Sequence, residues 1–257
     1  MRVILLANGK LGALFAAKIS GYLDIAACLV ENYTKEWDSV EHINVIKYVH
    51  SGDILDLLLD KYAHDVVLSF NWNRRIKEKT LVKGNFYNLH PSLLPRNRGP
   101  IPLVFTILQG LKVSGVTLHV MDSTFDTGAI YQQEQFDIHP DDNYKLLSMK
   151  ILRLAIRMTR AFAQEFPNVV LREQVGENGT YEGLEDLEKY TLSKHSLLSD
   201  LDLVHRAYDN IIPIRYDDEG RIALITKFST KKSSDCILEL NLKDGMIYVE
   251  EMKWRLV

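Results

Sequence analysis

Asn88 and His90 stand two residues apart in the run NLHPSLLP at positions 88–95, and a carboxylate follows at Asp126 in DTG, 126–128. In an extended segment, residues two apart point to the same side, so the amide and the imidazole can face one reacting centre. An amide, an imidazole and a carboxylate with no Ser or Cys nucleophile between them suit direct acyl transfer. An incoming amine attacks a carbonyl, and the Asn88 amide and a protonated His90 steady the tetrahedral oxyanion. Asp126 then raises the imidazole pKa, holds the ring in place and relays the amine's proton through water. Pro91 and Pro95 stiffen the loop and preorganise the donors. Taken singly, each residue also has a plainer reading. Asn beside a proline is a common turn residue, a lone His at a strand end is often structural, and Asp126 before Thr127 and Gly128 reads as a turn. Ser92 lacks the G-x-S-x-G elbow of a nucleophilic serine. His119, Asp122 and Asp126 match no standard ligand spacing, so no metal is expected.

The elements that must carry these groups follow from apolar patterning. Continuous apolar runs predict buried strands at 2–7, 25–31, 45–49, 65–69 and 86–90. Helices are predicted at 13–22, after a turn at 8–12, and at 51–62, with Ser51 or Asp53 near the second one's start. Glycines at 9 and 12 fall short of G-x-G-x-x-G, so a plain strand-to-helix turn is the better reading. Further on, a helix is predicted at 102–110, strands at 115–121 and 129–138, and a long helix at 144–166 that Pro167 ends. This alternation predicts an α/β, Rossmann-like domain with a mostly parallel sheet. Its ligands belong beyond the carboxyl ends of the strands, at the loops 71–75 and 90–102. A short helix at 200–208 and strands at 222–228, 236–241 and 246–252 predict a small C-terminal β-rich appendage. The expected organisation is a catalytic domain at 1–183, a linker at 184–195 and a subdomain at 196–257.

With 46% hydrophobic and 25% charged residues over 257 positions, the chain has the composition of a soluble globular protein. A net charge of −3 is a poor electrostatic footprint for a nucleic-acid binder. No run is long enough to span a bilayer. The apolar stretch at 1–7 reads as a strand, not a signal peptide. Cys28 and Cys236, far apart in sequence, fit free thiols in a reducing compartment. A cytoplasmic location is therefore expected.

Taken together, NLHPSLLP at 88–95, Arg98-Gly99-Pro100 and GVTLHVMDSTFDTGAI at 115–130 closely resemble the folate-dependent formyltransferases. That superfamily includes the glycinamide ribonucleotide, methionyl-tRNA and sugar N-formyltransferases, and the resemblance covers about residues 1–183. It implies that Asn88, His90 and Asp126 form the catalytic triad and that 10-formyltetrahydrofolate is the donor co-substrate. It places the pterin between the loop after the fourth strand, at Trp72, Asn73, Arg74 and Ile76, and the loop before the carboxylate, at Asp122 and Ser123. Trp72 either stacks on a ligand or fills a gap under its loop. SFNWNRRI at 69–76 and the residues Arg96, Asn97 and Arg98 look most like the sugar N-formyltransferases. Those three side chains would then hold the pyrophosphate of a nucleotide-linked amino sugar, although exposed charge is the plainer reading of Arg96 and Arg98. Methionyl-tRNA is the alternative acceptor; the negative net charge and short tail count against it. Formyltetrahydrofolate hydrolase and hydroxyamine (siderophore) formyltransferases share the motif. His119 is a candidate to support the triad from behind. The tail's strands offer acceptor selection or homodimer formation by edge pairing.

Overall fold

The computed structural model describes residues 1–40, 42–47, 54–175 and 179–255. The expected caps Ser51 and Asp53, and the end of the strand predicted at 45–49, lie outside them. In chain order the elements are β1 (Arg2–Ala7), α1 (Gly9–Ile19), β2 (Asp24–Val30), β3 (Val45–Lys47), α2 (Ile54–Lys61), β4 (Val66–Phe70), α3 (Glu78–Leu81), β5 (Phe86–His90), α4 (Pro102–Leu108), β6 (Val113–Val120), β7 (Ile130–Asp137) and α5 (Tyr144–Glu165). There follow β8 (Leu192–Ser193), α6 (Leu198–Tyr208), β9 (Ile214–Asp218), β10 (Arg221–Ser229), β11 (Leu238–Asn241) and β12 (Met246–Arg255).

The chain divides into two compact units. The first comprises Met1–Gly99, Val113–Asp137 and Ser148–Tyr181; the second comprises Pro100–Lys112, Ile138–Leu147 and Glu182–Val257. The first unit holds a seven-stranded sheet in the order β3-β2-β1-β4-β5-β6-β7. Pairing is parallel from β3 to β5 and antiparallel for β5–β6 and β6–β7. The two-residue period sorts its side chains. Ile4, Leu6, Leu29, Val67 and Phe86 turn one way and bury Leu58 and Leu59 of α2 against them. Each such leucine contributes roughly 1.5–3 kcal/mol. Of opposite parity, Phe70 meets Phe15 of α1 at 4.4 Å and Tyr87 meets Phe162 of α5 at 4.7 Å between ring centroids. Asn88 and His90 share the parity of Phe86, so they emerge at the carboxyl end of β5 on the α2 side.

Three expectations are corrected. Helix α1 starts at Gly9, so residues 9–12 are helix and not a turn. The glycine at 12 serves close packing: a Cβ there would lie 3.1 Å from the Ala7 backbone and 3.2 Å from Trp37. Residues 184–190, expected as linker, form a 3-10 helix, started by Asp186 accepting the Gly183 N–H at 2.8 Å. Strand β9 was not expected among its charged residues, yet Ile214 and Tyr216 are buried and alternate with half-buried Arg215 and Asp217.

The second unit holds a five-stranded sheet in the order β11-β12-β10-β9-β8. Its buried Ala223, Ile225, Ile247 and Val249 accompany Leu201, Val204 and Ala207 of α6 in the core. Helix α4 also belongs here, with Phe105 against Tyr190 at 6.4 Å. The two units are therefore not separated by one cut of the chain: segments 100–112 and 138–147 pack with the C-terminal sheet.

Candidate active site

The β4–β5 register puts Asn88 beside Ser69, and the β5–β6 register puts it beside His119. The Asp122–Gly128 loop, between β6 and β7, returns Asp126 to the same point. Gly128 makes that return feasible: a Cβ there would sit 2.0 Å from the Val120 carbonyl oxygen. Asp126 itself has φ +57°, a left-handed conformation that costs a non-glycine residue roughly 1 kcal/mol.

Asn88, His90 and Asp126, taken from two separate stretches of sequence, converge. His90 Nδ1 lies 3.4 Å from Asp126 Oδ1, and Asn88 Nδ2 lies 3.4 Å from the same oxygen. His119 joins them, with Nε2 3.3 Å from Asn88 Nδ2 and 3.6 Å from Asp126 Oδ1. The backbone carbonyls beside the two rings fix one ring N–H on each. His90 Nε2 donates to the Asn97 carbonyl at 2.8 Å, which leaves Nδ1 toward Asp126. His119 Nδ1 donates to the Val120 carbonyl at 2.8 Å, so its Nε2 offers a lone pair to the Asn88 amide. The Asp126 carboxylate also accepts the Gly99 N–H at 3.0 Å through Oδ2.

His90 is 3% exposed. Burial pushes its pKa below the ordinary 6.5, against the opposing pull of Asp126 and the Asn97 carbonyl. The expected rise does not occur, because desolvation outweighs the carboxylate. His90 is therefore neutral at rest, with its Nδ1 lone pair beside a carboxylate. Burial also opposes the charge on Asp126, but the positive charge His90 carries once protonated, the contact with His119 and the Gly99 N–H overcome it. They hold the carboxyl well below the usual carboxylate range. A neutral imidazole next to a fixed negative charge is set up to accept a proton at Nδ1.

A cleft of about 40 Å³ opens over Asn88, His119 and Asp126, bounded by Trp72, Arg75 and Phe125. A second hollow of about 90 Å³ shares Trp72, Arg74, Arg75 and Ile76 with it. Trp72 lines the cleft and packs against the α2 core cluster. Ile76 is buried in that cluster, Asn73 is exposed, and Arg74 pairs with Glu31. Asp122 spends its carboxylate on its own loop, accepting from the Thr124 N–H at 3.0 Å and from the Thr127 hydroxyl. The Ser123 carbonyl receives a guanidinium N–H from Arg75. The residues read as pyrophosphate ligands are divided. Arg96 is exposed, whereas Asn97 is 3% exposed and orients His90 through its carbonyl. Arg98 donates to Gln174 Oε1 at 2.7 Å.

Sequence reasoning missed Gln174 and the Gly99 N–H, which no residue-type pattern marks, and Ser69, a buried hydroxyl without a hydrogen-bond partner in the cleft floor. Among the described residues no group of three or more His, Cys, Asp or Glu is placed to hold a metal ion, and no helix is long and apolar enough to cross a membrane.

The formyl transferase family model matches residues 49–159. The methionyl-tRNA formyltransferase of Thermotoga neapolitana is 34% identical over 148 residues, covering 56% of this chain and 44% of that protein. The chain spans less than half the length of the first curated relatives it matches. A variant of HypX from Aquifex aeolicus superposes with a TM-score of 0.75 at 14% identity, over 100% of this chain and 45% of that one. The N-formyltransferase of Helicobacter canadensis, solved with folinic acid and dTDP-3-aminofucose, superposes with a TM-score of 0.64 at 17% identity, over 98% and 99% of the two chains. The resemblance carried by the 88–95 and 115–130 motifs is thus to the formyltransferase superfamily in sequence and in fold.

Proposed function

We propose that this chain, whose residues 49–159 match the formyl transferase family, moves a formyl group from 10-formyltetrahydrofolate to the primary amine of a nucleotide-linked amino sugar. The observation that carries the reading is the convergence of Asn88, His90 and Asp126 within 3.4 Å beside a cleft, with no nucleophile in the cluster. In the proposed step the acceptor amine attacks the formyl carbon and forms the new C–N bond. The Asn88 amide, held only by contacts of 3.3 and 3.4 Å, turns a donor to the oxyanion, whose full charge makes the stronger acceptor. His90 takes the amine's surplus proton at Nδ1, and Asp126 stabilises the imidazolium. Collapse breaks the bond from carbon to N10 of the folate, which leaves with that proton. Formamide and tetrahydrofolate are the products.

The donor is supported by the folinic acid named with the Helicobacter canadensis enzyme. The acceptor is supported by the dTDP-3-aminofucose named with the same enzyme and by charge in the second unit. Several basic residues there are answered locally: Lys227 pairs with Glu250, Lys232 with Glu239, Lys194 with Glu219, and Arg215 and Arg255 with Glu188. Such pairing leaves a weak surface for a long phosphate backbone. Sequence identity to methionyl-tRNA formyltransferases favours a tRNA acceptor as the second reading. The test is formylation with 10-formyltetrahydrofolate against a panel of nucleotide-linked amino sugars, with initiator methionyl-tRNA and water as competing acceptors. Transfer to one of the sugars supports the reading. Transfer confined to the tRNA, or donor hydrolysis without acceptor, sinks it.

A further inference from the structure

The strand β7 edge and the catalytic loops are tied together by the chain that follows helix α5. Arg172 exchanges both backbone hydrogen bonds with Ile130, at 2.7 and 2.8 Å. Two residues on, Gln174 reaches back into the Asp126 loop. Its Nε2 donates to the carbonyls of Asp126 and Gly128, both at 2.9 Å, and its Oε1 accepts from Arg98 at 2.7 Å. One half-buried amide therefore uses both donor hydrogens and its acceptor on two different loops. The first carries the carboxylate in a left-handed conformation that its own residue type disfavours. The second, 97–99, grips the reacting groups through backbone atoms: the Asn97 carbonyl on His90 and the Gly99 N–H on Asp126. Thr180 completes the attachment, with its hydroxyl accepting the Asn97 N–H at 2.8 Å and its carbonyl accepting the Arg98 N–H at 3.0 Å.

We infer that Gln174 is a positioning residue, which with Arg98 clamps the Asp126–Gly128 loop and sets the carboxylate against His90. This gives Arg98 a different task from holding a substrate pyrophosphate: its guanidinium is directed to the Gln174 amide. A loop whose carbonyls lose their two donors keeps its covalent path but loses the bonds that offset the left-handed cost at Asp126. The carboxylate then drifts from Nδ1, and a misplacement of that kind lowers the chemical step more than it lowers binding.

The inference rests on the proposed formyl transfer for its kinetic arm only. Gln174→Met removes both donors and the acceptor at similar length, and Gln174→Glu keeps an acceptor for Arg98 while losing the donors. Both are expected to lower kcat about tenfold with KM for donor and acceptor unchanged within about twofold. Arg98→Lys, which keeps a donor for Oε1, is expected to retain most of the rate. The second arm needs no substrate: histidine-ring NMR titration, with His90 assigned through His90→Gln. Because the Asp126 charge raises the affinity of His90 for a proton, Gln174→Met is expected to titrate His90 at lower pH than the wild type, whereas Gln174→Glu brings a charge of its own and is read by kinetics alone. If Gln174→Met does not fold, judged by circular dichroism and thermal unfolding, Gln174→Leu carries both arms. An unmoved His90 titration overturns the inference, whether or not kcat falls. A wild type that transfers no formyl group but shows the shifted titration in Gln174→Met or Gln174→Leu keeps the inference and rejects the proposed function.

Discussion

The loops on two sides of the cleft are built in opposite ways. Around the carboxylate, residues 97–99 and 126–128 are held by backbone hydrogen bonds among buried or half-buried groups, and the Gln174 amide closes the set. Across the cleft, the loop at 71–75 and the stretch 122–125 turn Asn73, Arg75, Asp122, Thr124 and Phe125 to solvent. Arg75 and Asp122 bond within these loops, and Arg74 pairs with Glu31. The difference separates two demands. Proton transfer needs heavy atoms fixed within a fraction of an ångström, and backbone donors in a low-dielectric setting supply that. Recognition of a co-substrate through backbone and one aromatic face, the role proposed for this side, tolerates side-chain change.

Substitutions on the held side are expected to be severe. Asp126→Asn keeps the shape but removes the charge that stabilises a protonated His90, and steady-state rates should fall about 10³-fold. A fall below about tenfold would move the proton acceptor elsewhere. Gly128→Ala sets a Cβ against the Val120 carbonyl oxygen at 2.0 Å. Denaturant unfolding should show a loss of about 2–3 kcal/mol, and the rate should fall with it. On the open side the effects should be smaller. Trp72→Phe should raise KM for the folate donor by about threefold and leave kcat nearly unchanged; a collapse of kcat would erase the distinction between the two sides.

The smallest expected effect is on stability against pH. The pKa of His90 in the folded chain lies below its ordinary 6.5. Between those two values the unfolded chain binds more protons, so stability rises with pH. The contribution is complete above about pH 6.5 and is lost as pH falls through the depressed value. Asp126, also depressed, adds a loss of the same sign at lower pH, beneath its ordinary 3.8. Urea titrations from pH 7 to 5 should show a shallower slope for His90→Gln than for the wild type. Equal slopes would mean that burial does not set the His90 proton affinity.

Much of the first unit was legible because its strands are buried on both faces and so read as continuous apolar runs: 2–7 and 86–90 were expected with the bounds found for β1 and β5. The second unit was less so. Its strands are half-exposed, and β9 hides its period-two signal, Ile214 and Tyr216, among Arg215, Asp217 and Asp218. Gly12 misled because packing and turn formation both select glycine. The types of Arg98 and Asn97 suit phosphate binding, whereas the structure gives both partners within the fold.

Sequence alone marked the candidate reacting groups: an amide and an imidazole two apart on a strand, a carboxylate before Thr-Gly, and no nucleophile between them. These follow from residue type and the period of an extended chain, which are local. Only the tertiary structure decided which imidazole nitrogen faces the carboxylate, that His90 rests neutral, and that Gln174, nearly fifty residues on, braces Asp126. A tautomer, a desolvation penalty and a hydrogen-bond partner are set by whatever lies across space, and no spacing along the chain encodes that.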